Sequence, residues 1–388
     1  MAGSTSARNL SIDALRGLIM VVMALDHASA FIARRHSSEF WAGAWTRYDS
    51  ALPFLTRFVT HLCAPGFFFL MGAGLALFGY SRRESGWNES RIRRTLVTRG
   101  LVLLALSQFL EVPIFVAGIL SGAPGPPTTP DQLPPGAGGM PPFLLWAVLM
   151  GLGSVLAIAG ACFDLPSKGW WIVSIAAIGL TSGLTPVPDQ ASENFSWAAR
   201  VLLIPGQTGR LFVLYPILPW LGITGLGVLF GRWFHSERDR CLRMAPRIGL
   251  AMVAGALALR AAGGFGNLRL PRDPGWIEFL NFIKYPPALV FTVFFIGANL
   301  VLLGLLHRVP DARRWKRTLA VFGQSPLFYY IAHLLLYVVA GALFFRHGIA
   351  LQWMYFAWLA SLIPLYWACR AYAGFKTARS VDSMWRFF

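Results

Sequence analysis

Charge is what this 388-residue chain has little of. Only 13% of its residues are charged, against about 25% in soluble domains. Acids are the scarcer kind, 17 Asp and Glu against 34 Lys and Arg, and only Lys168, Lys284, Lys316 and Lys376 among the basic residues are lysines. Cysteine is also rare. Cys63, Cys162, Cys241 and Cys369 follow no metal or redox spacing, so free thiols are expected rather than a disulfide framework. No HExxH is present and no two histidines fall at i, i+4, so no metal is expected. Gly222-Ile223-Thr224-Gly225-Leu226-Gly227 lies inside an apolar run. A nucleotide loop follows a strand, so close helix packing explains these glycines better. No loop is long enough to be a soluble domain, and there is no internal repeat of the kind many transporters show.

What the chain has is apolar length. It is 56% hydrophobic with mean hydropathy +0.55, and its runs of about 20 residues are too long for barrel strands. The expectation is a single all-α domain over residues 1–388, a polytopic membrane bundle of about ten spans. These are placed at 10–33, 54–80, 95–119, 143–163, 169–187, 209–231, 247–265, 285–306, 319–345 and 351–374. With the N-terminus inside, 21 basic residues fall on cytoplasmic segments, 8 outside and 5 within or at the edge of spans. That bias predicts both termini in the cytoplasm. It also accounts for the net charge of +17 without nucleic acid. A cleaved leader is the rival for the first span, but Asp13, Arg16, Asp26 and His27 interrupt the apolar core that a leader needs. The Pro- and Gly-rich segment 121–142 is expected to be an outer, flexible cover.

Ionisable groups inside spans are costly and therefore ask for a purpose. On the first helix Asp13 and Arg16 share a face at i, i+3, while Asp26 and His27 stand towards the other end. Depth counting brings Asp26, His27, His61, Glu111, Tyr215, Lys284-Tyr285 and His333 to one outer layer. His36, His235, His307 and His347 fall in loops or at span ends and are set aside. Arg16 and Arg99 lie near the inner ends of their spans. They suit phosphates, or equally anionic lipid headgroups.

Several stretches carry a resemblance. They are Ser11-Ile12-Asp13-Ala14-Leu15-Arg16-Gly17 with Asp26-His27, Thr60-His61-Leu62-Cys63-Ala64-Pro65, Arg99-Gly100, Tyr215-Pro216-Ile217-Leu218-Pro219-Trp220, Lys284-Tyr285-Pro286-Pro287, and Gly323-Gln324-Ser325-Pro326-Leu327-Phe328-Tyr329-Tyr330 with His333. Across nearly its whole length the chain resembles the heparan-α-glucosaminide N-acetyltransferase-like family of integral membrane acyltransferases, in its bacterial form. Its first span is also similar to that of membrane enzymes that O-acetylate sugars, whose catalytic histidine matches His27. The resemblance implies acetyl-CoA as donor, bound near Asp13, Arg16 and Arg99. The acceptor implied is a hydroxyl or amine of a saccharide or glycolipid, presented from outside. His27 is the expected base and His61 its competitor, with Asp26 or Glu111 to orient the imidazole. Tyr215, Trp220, Asn281, Lys284, Tyr285 and His333 are expected to hold substrate or stabilise the oxyanion. The setting implied is a bacterial cytoplasmic membrane, with the bilayer as partner and a homodimer as an option. The alternative is a proton-coupled transporter or flippase that uses the same buried groups as a relay.

Overall fold

Asn9 starts the first helix. Its Oδ1 accepts from the Ser11 and Ile12 amides at 2.9 and 3.2 Å, satisfying two of the donors every helix start leaves open. The helix it caps, α1 (Leu10–Phe31), is buried on most of its surface and touches six other helices. A helix buried on most of its sides belongs in the middle of a bundle. The computed structural model describes residues 9–36, 39–42, 46–122, 144–186, 195–379, 383 and 385. Nearly all of the segment 121–142, the expected flexible cover, lies outside them.

Among the described residues fourteen further helices follow: α2 (Ala51–Thr60), α3 (Cys63–Glu84), α4 (Glu89–Leu106), α5 (Val112–Leu120), α6 (Val148–Ala161), α7 (Ser167–Leu184), α8 (Trp197–Leu202), α9 (Ile217–Ser236), α10 (Arg238–Ala262), α11 (Trp276–Leu280), α12 (Leu289–Arg308), α13 (Arg314–Gln324), α14 (Pro326–Leu343) and α15 (Leu351–Thr377). Among the described residues, seven helical runs are long and apolar enough to cross a membrane. Helices α6, α7 and α15 occupy the other three expected spans. The protein is a polytopic helical membrane protein.

Three local features depart from ten plain spans, and prolines cause two of them. Pro65 has no N–H for the His61 carbonyl, so the second span breaks between α2 and α3. Just beyond it the Leu62 carbonyl accepts both from the Gly66 amide at 3.1 Å and from Asn299 Nδ2 at 3.2 Å. Pro326 likewise separates α13 from α14 at Ser325. The third is a small sheet, ordered β1 (Leu144–Trp146), β3 (Leu211–Val213), β2 (Gly206–Thr208). It delays the starts of α6 and α9 by several residues relative to the expected spans. Between α4 and α5, Ser107–Glu111 forms a π-helical turn.

Glycine sets how closely the helices approach. A Cβ on Gly17 would lie 1.7 Å from the Leu319 carbonyl oxygen, and one on Gly323 would lie 2.0 Å from that of Asp13. Helices α1 and α13 therefore meet backbone to backbone. Gly227, in the run read as a packing motif, meets the Phe69 carbonyl in the same way.

Candidate active site

Arg16, Met20, Met23 and His27 stand at i, i+4, i+7 and i+11 on α1, which places them in one stripe along a single face. His27 is half-buried. Its Nδ1 lies 2.7 Å from Nε2 of His333 on α14, and the rings stack with centroids 5.0 Å apart. His333 is fully buried, and its Nδ1 lies 2.7 Å from the Tyr329 carbonyl oxygen. A carbonyl can only accept, so His333 carries its proton on Nδ1. Its Nε2 is then the acceptor for a His27 Nδ1–H. The neutral His27 is left with a lone pair on Nε2, the form a general base needs.

Asp26 is turned about 100° away around α1 and joins an ionic cluster. Arg57 Nη1 donates to its Oδ1 at 2.6 Å and Thr60 Oγ1 at 2.9 Å, with His36 Nε2 3.5 Å from Oδ2. Arg57 also grips Glu39, through Nε to Oε1 at 3.0 Å and Nη2 to Oε2 at 2.9 Å. Tyr48 Oη donates to Glu39 at 3.0 Å, and His61 Nε2 lies 3.1 Å from it. Burial works to raise the Glu39 carboxyl, but Arg57 and His61 beside it hold it well below the usual carboxylate range. Main-chain bonds clip this loop down, because the Lys284 and Tyr285 amides both donate to the Glu39 carbonyl and the Trp41 amide donates to that of Tyr285.

Two cavities flank the site, each of about 330 Å³. One is mainly apolar and runs between α1, α3, α4, α6 and α14. Arg16 and Arg99 line it together with Met20, Met23, Met71 and Tyr330. The Tyr330 ring centroid is 6.1 Å from that of His27. The other is polar, and Asp26, His36, Tyr48 and Arg57 contribute to its wall.

The expected site residues divide accordingly. Arg16 pairs with Asp13 at 3.1 Å and donates to the Gly323 carbonyl at 3.1 Å. The Arg99 guanidinium lies 4.4 Å over the Phe78 ring. Glu111 is fully buried and sits in the π-helical turn, where it accepts from Tyr330 Oη, Ser107 Oγ and the Leu149 amide. Neither Glu111 nor Asp26 bonds an imidazole of the His27–His333 pair; His333 is the group that orients His27. The second nitrogen of His61 is buried with no hydrogen bond to a described residue, among the rings of Phe291 and Phe295. Lys284 is buried, with its ammonium 5.0 Å from the Tyr285 ring centroid, and Tyr285 Oη is 3.4 Å from Tyr215 Oη. Trp220 belongs to an aromatic stack with Phe68 and Tyr215. Asn281 lies in a separate knot, where Nδ2 donates to Thr46 O at 3.1 Å and its carbonyl accepts from Arg260 at 3.4 Å.

Sequence reasoning missed Glu39 and Tyr330 and set His36 aside as a loop residue. The signal for Glu39 was Arg57, a cation at the edge of a span that required a buried acid. Among the described residues no group of three or more His, Cys, Asp or Glu is disposed to hold a metal ion.

No curated protein matches the chain. A family profile described as an acyltransferase domain matches residues 9–369, a stretch that runs from the α1 cap through most of α15 and includes every group of the His27–His333 and Asp26–Arg57–Glu39 clusters. The chain belongs to this acyltransferase family.

Proposed function

We propose that the protein moves an acetyl or related acyl group from acyl-CoA, entering from the cytoplasmic side, to a hydroxyl or amine of a saccharide or glycolipid on the outer side, in the manner of the heparan-α-glucosaminide N-acetyltransferase-like enzymes. The observation that carries this is the alignment of His27 with the donor cavity. The α1 stripe that lines the cavity with Arg16, Met20 and Met23 continues one turn further to His27, roughly 16 Å from Arg16 at 1.5 Å per residue. Guanidiniums at one end suit the phosphates of CoA, and the methionine-lined passage suits a thin, flexible chain ending in sulfur.

In this scheme His27 Nε2 takes the proton of the acceptor as its oxygen or nitrogen attacks the thioester carbonyl. The C–S bond breaks, and the imidazolium returns the proton to the departing thiolate. His333 is a positioning residue that fixes the tautomer and accepts from the imidazolium. Lys284 and Tyr285 are the groups assigned in this reading to stabilise the developing oxyanion. His61 holds Glu39 rather than a substrate proton.

The test uses purified protein in lipid nanodiscs with labelled acetyl-CoA, following both hydrolysis and transfer. His27→Ala should keep its fold and CoA binding and lose about 10²–10⁴-fold in turnover, the usual scale of general base catalysis. A folded His27→Ala protein with near-normal turnover would refute the assignment, and loss confined to His61→Ala would move the base to the α2–α3 break.

A further inference from the structure

An arginine on the outer side of a membrane protein runs against the usual charge bias. Three such residues, Arg34, Arg35 and Arg47, come from one short segment, and all three line the polar cavity together with Arg57. The acids that line it are Asp26 and Asp49. Asp26 is taken by Arg57 at 2.6 Å. Arg34 spends its donors on the Gly118 carbonyl at 2.7 Å and Ser121 Oγ at 3.4 Å, so no acid among the described residues neutralises it. The guanidiniums of Arg35 and Arg47 are exposed and bond to no described residue. The cavity is thus cationic, and its wall includes Asp26, the residue next to His27.

We propose that the acceptor carries an anionic group, a phosphate or a carboxylate, and that Arg35 and Arg47 hold it, with the positive charge of Arg34 beside them, while the hydroxyl or amine of the same molecule meets His27. This rests on taking the polar cavity as the acceptor side. Guanidiniums present planar forks that match both anions. A neutral saccharide would leave Arg34, Arg35 and Arg47 with Asp49 as the one remaining lining acid to balance them. Asp26 meets such an anion with its Oδ1 already accepting from Arg57 and Thr60.

The experiment measures binding of glucuronate, glucose 6-phosphate and glucose to the full protein in phosphatidylcholine nanodiscs, by calorimetry at constant ionic strength so that screening is the same throughout. Both anions should bind at least tenfold more tightly than glucose. The Arg35→Gln/Arg47→Gln double variant, with unchanged thermal unfolding, should lose about tenfold or more for the anions, since a charge-assisted hydrogen bond exceeds one decade of affinity. Competition by phosphatidylglycerol in the disc assigns the anion to a lipid headgroup and lack of competition to a soluble acceptor; both support the site. Equal binding of glucose, no binding of any of the three, or anion binding indifferent to the double substitution would overturn the proposal. A wild-type protein that binds anions but neither binds nor turns over acetyl-CoA would instead remove the acyltransfer scheme and leave the anion site standing.

Discussion

His333→Leu isolates the orientation of His27 from its chemistry. If His27 is the base as proposed, it becomes an imidazolium in turnover, and the 2.7 Å contact to His333 becomes a hydrogen bond from a charged donor. Such bonds contribute about 1.5–3 kcal/mol, which corresponds to roughly 10- to 150-fold in rate. His333 is fully buried and lines neither cavity, so the loss should fall on kcat, with KM for acyl-CoA within about twofold. His333→Gln keeps an acceptor near the position of Nε2 and should recover part of the lost rate. The assay is steady-state acyl transfer or acetyl-CoA hydrolysis in nanodiscs, with thermal unfolding as the control for folding. Near-normal kcat in a folded His333→Leu protein, a change confined to KM, or a His333→Gln variant as slow as His333→Leu would refute the role.

Arg16→Ala should weaken binding of CoA itself, and unchanged affinity in a folded variant would remove Arg16 from the donor site; because Asp13 loses its partner, thermal unfolding is measured first. Glu39→Gln removes one anion from a buried ion pair and should cost about 3 kcal/mol of stability, read as a lower unfolding temperature. Since the folded Glu39 carboxyl is held below its ordinary range, its contribution is fully present above about pH 4.5 and is lost as pH falls through the depressed folded value; acid unfolding of Glu39→Gln should be correspondingly less steep. Gly17→Ala places a methyl within 1.7 Å of a backbone oxygen, which no rotamer relieves, and should destabilise by at least the 1–3 kcal/mol of ordinary overpacking. Reporter fusions after Tyr80 and after His235 should report cytoplasm, and the opposite pattern would overturn the assignment of donor and acceptor sides.

Where contacts are local, the sequence carries them. Asp13 and Arg16 are three residues apart on an obvious helix, and they pair. The glycines after Trp220 predict close approach, and Gly227 meets the Phe69 backbone. Pro65 and Pro326 mark the helix breaks, although apolar continuity hides them when spans are counted by hydropathy. The rest is long-range. His27 and His333 are 306 residues apart, and a shared depth brings them to one layer without saying which imidazole faces which. Glu39 sits in a short loop with no periodicity, and only the buried charge of Arg57 hints at it. The π-helical turn that points Glu111 at Tyr330 has no composition signal at all.

The hydrogen-bond chain Tyr329–His333–His27 ends on a backbone carbonyl, and that gives it a direction no side-chain substitution at residue 329 can reverse. A peptide oxygen does not take up a proton at ordinary pH, so His333 cannot hand one on. For a base at His27, the proton received on Nε2 has only Nε2 to leave by. The acceptor's proton then goes to the thiolate of the same donor, and the cycle closes without exchanging protons with either side of the membrane. A proton-coupled carrier needs two exits, one facing each compartment. Acyl transfer through this site should therefore run at the same rate with or without a transmembrane pH difference, provided the pH on the outer face is held fixed.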